Sequence, residues 1–172
     1  GKRIINEINI NKKIINTKIN VVGLFQNHEV EYVNSIIKTL NLNYVQLCGS
    51  EDYNYSQKIN AHIIKMIHIK DDEKKEIIES QIESSQKYAD YIILDTFSTS
   101  SKGGTGKSFN WDKFKDLFNK EIFIAGGLNP YNISDLNTKY RPWGVDVASG
   151  VEINNIKDIS KIKAFVKNLN SK

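Results

Sequence analysis

Apolar runs too short to be helices recur along this chain, and a helix-length amphipathic stretch separates most of them from the next. The runs lie at 19–25 (INVVGLF), 44–47 (YVQL), 63–69 (IIKMIHI), 91–94 (YIIL), 122–125 (IFIA) and 144–147 (GVDV). The candidate helices lie at 28–40, 72–87, 110–118, 131–139 and 156–169. In the first of them Val30, Val33, Ile36, Ile37 and Leu40 recur at helical spacing, so one apolar stripe faces the sheet. Such alternation is the sequence form of a parallel sheet or barrel, and it predicts an α/β fold: six strands of a TIM (β/α)8-barrel. The opening GKRIINEINI reads as one more helix, with Ile4, Ile5 and Ile8 on one side, so the series begins on a helix. A complete eight-unit barrel needs about 250 residues and at least about 200, so the pattern is short by about one and a half units.

The expected organisation is one domain over residues 1–172, an incomplete barrel at its N-terminal end, because 40% hydrophobic residues support a single core of this size. The net charge of +4 comes from 24 basic and 20 acidic residues, with lysines spread over helix faces, which favours a solvated surface over a nucleic-acid arm. Apolar stretches stay below the roughly 20 residues of a membrane span, and no signal-peptide pattern is visible. The single cysteine, Cys48, fits a reducing compartment, and the expectation is a cytoplasmic protein without membrane partners.

In a parallel barrel the chemistry sits at the C-terminal ends of the strands, where Cys48, Asp95, Gly126, Gly127 and the stretch from Asp146 to Gly150 fall. Glycines after the last two strands let backbone N–H groups approach a phosphate, although single loops of this kind also serve as plain tight turns. Two in succession favour a phosphate site. The loop 98–107, with Gly103, Gly104 and Gly106, reads as a mobile lid. Its Gly106, Lys107 and Ser108 also match the end of a P-loop, but the first glycine of that motif falls at Ser101 and the loop follows the fourth run.

Asp95 is the candidate general acid, since a carboxyl at a strand mouth beside apolar walls has its pKa raised; the competing role is to cap a turn. Asp146 interrupts an apolar run and is expected to be buried with a polar partner. Cys48 reads more as a small hydrophobe than as a nucleophile, and His28, His62 and His68 lack metal-ligand spacing, so no metal is expected.

The segments VVGLFQN, VQLCGSE, ILDT with GGTGKSFNW, AGGLNPYNI, and GVDVASGVE followed by KDISKIKAFV stand in an order and spacing that resembles the N-(5'-phosphoribosyl)anthranilate isomerase family of tryptophan biosynthesis, from about residue 19 onward. The resemblance implies an intramolecular oxidoreductase, an aldose-ketose isomerase performing an Amadori rearrangement without cofactor or metal. It implies Asp95 as the acid that opens the furanose ring. Gly126, Gly127, Ser149 and Gly150 would bind phosphate, Asp146 would contact the amine and ribose hydroxyls, and Cys48 would line the anthranilate side where the family has histidine. The family's base cysteine and a carboxylate-binding arginine belong to its first strand, first helix and second strand. GKRIINEINI resembles its second helix, so the sequence is expected to lack that segment. Three readings follow: an excerpt of a longer isomerase, one half of a split enzyme whose partner brings the missing N-terminal segment, or an impaired homologue that binds a phosphorylated ligand or another chain. The expected partners are a small phosphorylated substrate and either that complementing segment or a second copy in a homo-oligomer.

Overall fold

The structure is a computed structural model and describes residues 19–70, 72–96, 108–118 and 121–171. The sheet has six strands: β1 Val22–Phe25, β2 Tyr44–Leu47, β3 His62–Ile69, β4 Tyr91–Thr96, β5 Ile122–Ile124 and β6 Gly144–Val145. Every neighbouring pair is parallel and the spatial order follows the chain, β1-β2-β3-β4-β5-β6. That order is the wall of a (β/α) barrel, each crossover helix returning the chain to the next position. Among the described residues β1 and β6 each pair on one side only.

The crossovers carry α1 Val30–Leu40, α2 Tyr53–Ser56, α3 Lys75–Ser85, α4 Trp111–Phe114 and α5 Ile133–Tyr140, and α6 Ile159–Leu169 follows the last strand. α1 buries Val33 and Ile37 of its predicted stripe and ends at Asn41, whose left-handed backbone lets its N–H reach the Ile37 carbonyl. Several predicted bounds contract. The helix expected from residue 28 starts at Val30 because Glu29 is extended, and that expected over 72–87 spans Lys75–Ser85. The helix expected from residue 156 starts at Ile159. Asn154 and Asn155 both take positive φ, fold the chain into a hairpin of β7 Glu152–Ile153 and β8 Ile156–Lys157, and leave Asp158 to cap α6 through the Lys161 N–H. The opening helix expected in GKRIINEINI lies outside the described residues.

Side chains alternate across each strand. One face carries Val45, Leu47, Ile63, Ile67, Ile69, Ile92, Leu94, Ile122 and Ile124 into two buried clusters under the helices. The opposite, concave face carries Ile64, Ile93 and Ala125 with Val22, Tyr44, Met66, Tyr91 and Phe123. Tyr44 and Tyr91 are the first residues of their strands, and Trp143 precedes β6. Their rings gather there: Trp143 stacks on Tyr91 at 5.3 Å and meets Phe123 edge-on at 5.0 Å. Aromatic bulk therefore fills the N-terminal end of the concave face and leaves its other end to polar groups.

Candidate functional site

The polar end is built by strand alternation. Cys48 follows β2, His68 and Asp95 are paired in register on β3 and β4, and Asp146 follows β6 with its N–H bonded to the Ile124 carbonyl at 2.9 Å. All four continue the concave row. His68 Nδ1 lies 3.9 Å from Asp95 Oδ2. Burial pushes the Asp95 carboxyl above its usual range; His68 opposes the rise, Asp146 adds to it, and the Thr96 N–H opposes it. A proton is therefore held on Asp95 to higher pH than on a surface aspartate.

Asp146 departs from expectation. Its side chain is exposed, because β6 ends at Val145 and the residue has already left the sheet. The surrounding protein still raises its carboxyl by desolvation, against Lys157 and the Val147 N–H. Sequence reasoning missed Lys157, which the β7–β8 hairpin brings to the mouth. Its Nζ donates to the Ala148 carbonyl at 2.7 Å and pairs with Glu152 at 2.9 Å. The Asn154-Asn155 dipeptide was the available signal, since such pairs favour the left-handed turn of a hairpin.

The two glycine loops come together. Gly126 and Gly127 take φ of 84° and 69°, and a Cβ on Gly126 would lie 2.2 Å from Thr96 Oγ1. A Cβ on Gly150 would lie 1.8 Å from the Leu128 carbonyl oxygen, so the loops after β5 and β6 touch at positions where only glycine fits. Asn129 and Asn132 each donate a side-chain N–H to the Gly127 carbonyl, which fixes the first loop. Thr96 Oγ1 also accepts the Phe109 N–H at 3.0 Å, tying β4 to the far end of the predicted lid. The lid glycines Gly103, Gly104 and Gly106, and the P-loop-like residues through Lys107, lie outside the described residues.

Cys48 is poorly suited to proton transfer. Burial raises its thiol to about 11, and the Gln46 amide, which donates to the sulfur at 3.4 Å, only partly offsets this. Behind it sits an ion pair that sequence reading also missed, having placed the lysines on helix faces. Lys65 points away from the concave face and reaches Glu51 at 3.2 Å and the Gly49 carbonyl at 2.6 Å. Glu51 also accepts the N–H groups of Asn27 at 2.6 Å and Gly49 at 2.8 Å, so one buried carboxylate fastens the ends of β1 and β2 to β3. A lysine in the middle of IIKMIHI was the signal, since a charge there requires a partner. Among the described residues no group of three or more His, Cys, Asp and Glu could hold a metal ion.

A family model described as N-(5'phosphoribosyl)anthranilate (PRA) isomerase matches residues 1–168. The chain belongs to that family. The N-(5'-phosphoribosyl)anthranilate isomerase of Dehalococcoides mccartyi is 38% identical over 158 residues, covering 90% of this chain and 72% of the relative. A structure of monomers of the dimeric phosphoribosylanthranilate isomerase of Thermotoga maritima superposes with a TM-score of 0.72 at 30% identity, covering 89% of this chain and 73% of that one. A phosphoribosyl anthranilate isomerase in complex with reduced 1-(o-carboxyphenylamino)-1-deoxyribulose 5-phosphate superposes with a TM-score of 0.66 at 32% identity, covering 86% and 70%. These isomerase neighbours share the α/β barrel architecture of the parallel six-stranded sheet.

Proposed function

We propose that this chain isomerises N-(5'-phosphoribosyl)anthranilate in tryptophan biosynthesis, by an Amadori rearrangement to 1-(2-carboxyphenylamino)-1-deoxyribulose 5-phosphate, with Asp95 as the general acid. The observation that carries the assignment is the Asp95 carboxyl, raised by burial at the mouth of β4 and facing the same opening as the glycine loops. Asp95 gives its proton to the furanose ring oxygen. The C1–O bond breaks with its electrons on that oxygen, and the amine lone pair closes a C=N bond. A base then takes the C2 proton, the electrons form an enolamine, and this becomes the ketone. Cys48 does not take the part of that base, since its thiol is raised to about 11.

Phosphate binds at the backbone N–H groups of Gly126, Gly127, Ser149 and Gly150, where the two loops abut and no side chain intervenes at the three glycines. Asp146 accepts from the substrate amine and ribose hydroxyls, and Lys157 balances its charge. Cys48 lines the anthranilate side. The chain acts as one domain in the cytoplasm, as a homo-oligomer like the dimeric relative; no helix among the described residues is long and apolar enough to cross a membrane.

The test is the fluorescence of phosphoribosylanthranilate, followed as it is consumed by the wild type and by Asp95→Asn. Loss of ring opening with retained binding of inorganic phosphate is expected. Unchanged turnover in the variant refutes the assignment.

A further inference from the structure

We propose that His68 relays a proton from solvent to Asp95, restoring its acid form after each ring opening. The inference rests on Asp95 as the general acid and adds a residue that acts through it. His68 and Asp95 are register partners on adjacent strands, so both side chains rise from the concave face at one level. The 3.9 Å between Nδ1 and Oδ2 is longer than a hydrogen bond and is spanned by a small side-chain rotation or by one water. The imidazole is the more exposed partner, at 40% against 26% for the carboxylate, so it is the better placed of the two to exchange protons with solvent.

The chemistry requires such a step. Ring opening leaves Asp95 as a carboxylate in surroundings that favour the neutral acid. The neutral imidazole, carrying its proton on Nδ1, takes a proton at Nε2 from hydronium or a buffer acid, which is left as water or the conjugate base, and releases the Nδ1 proton to Oδ2, ending neutral. Only N–H and O–H bonds are made and broken, and no electron is transferred.

The charges around the pair come from several elements. Asp146, after β6, faces Asp95 and is itself faced by Lys157 of the hairpin. Cys48, after β2, feels Asp95 but carries a neutral thiol at physiological pH. Lys65 is tied to Glu51 on the opposite face of β3, and Lys70 follows His68 two residues on. His68 is therefore the basic side chain that acts on Asp95 most directly.

The experiment compares full-length wild type, His68→Ala and Asp95→Asn in buffers with and without added imidazole. In His68→Ala, kcat should fall by up to about 10²-fold with KM little changed, and imidazole should restore much of it while leaving the wild type unaffected. Carboxyl-carbon NMR of Asp95 gives a readout that turnover does not enter. Its titration midpoint should move up in His68→Ala, because the group that opposes the rise is gone. An unmoved midpoint overturns the relay, as does undiminished kcat or a loss that imidazole cannot restore. Full turnover in Asp95→Asn overturns the acid assignment beneath it, and that result is read separately from His68→Ala.

Discussion

Glu51 and Asp95 are carboxylates at the mouths of β2 and β4, with β3 between them, and the more deeply buried one is held below its usual range while the other is held above its own. The Glu51 side chain is 1% exposed and that of Asp95 is 26% exposed. Desolvation pushes both upward. For Glu51, the N–H groups of Asn27 and of its own backbone, together with Lys65, more than reverse the rise and leave the group below its usual range. Asp95 has fewer donors, a carboxylate neighbour in Asp146 and a histidine beyond hydrogen-bonding distance, so its shift stays upward. Burial alone thus does not prepare a general acid. What counts is whether the fold supplies partners to the charged form, and here it does so for the carboxylate that fastens loops and supplies fewer to the one proposed as the acid.

The comparison can be broken at either end. The largest effect is expected on turnover: Asp95→Asn should lower kcat by about 10²–10⁴-fold. Lys65→Met should destabilise the fold by about 3–5 kcal/mol in urea unfolding, because Glu51 is left as a buried charge without its cation. Asp95→Asn in the same assay should go the other way and stabilise at neutral pH, since it removes a carboxylate that the folded state disfavours. Gly150→Ala places a methyl group against the Leu128 carbonyl. It should cost about 1–3 kcal/mol and raise KM for the phosphorylated substrate more than it lowers kcat.

The smallest effects are in pH dependence, where the two carboxylates have opposite signs. The folded pKa of Glu51 lies below its unfolded value of 4.5, so its stabilisation is full above that value and is lost as pH falls through the folded one. The folded pKa of Asp95 lies above its unfolded value of 3.8, so its penalty is absent below that value and grows as pH rises through the folded one. Urea midpoints of Glu51→Gln and Asp95→Asn, each subtracted from wild type across pH 3 to about 7, should give slopes of opposite sign. Cys48 offers a further check. A thiol near 11 is ionised to about one part in a thousand at pH 8, so alkylation by iodoacetamide there should be slow.

The β-α alternation, the amphipathic stripe of α1 and the glycines after β5 and β6 were legible because helix and strand periods and left-handed turns are properties of short stretches. The same reasoning carried Ile156 into a helix, since its spacing to Ile159 suits one, and passed over the Asn154-Asn155 turn that excludes it. Asp95 was legible as a residue of the strand mouth because alternation along β4 places it there. Asp146 was misplaced as buried because a one-dimensional pattern does not say where the sheet stops.

The sequence by itself determined the fold family and the end of the sheet where the polar groups gather. Only the tertiary structure decided which charges meet there. Lys65 finds Glu51 through the register of β2 and β3, His68 finds Asp95 through that of β3 and β4, and a hairpin carries Lys157 toward Asp146. Each is a contact between residues apart in sequence, where one step of strand register reverses the face a side chain occupies, and proton affinity follows those neighbours.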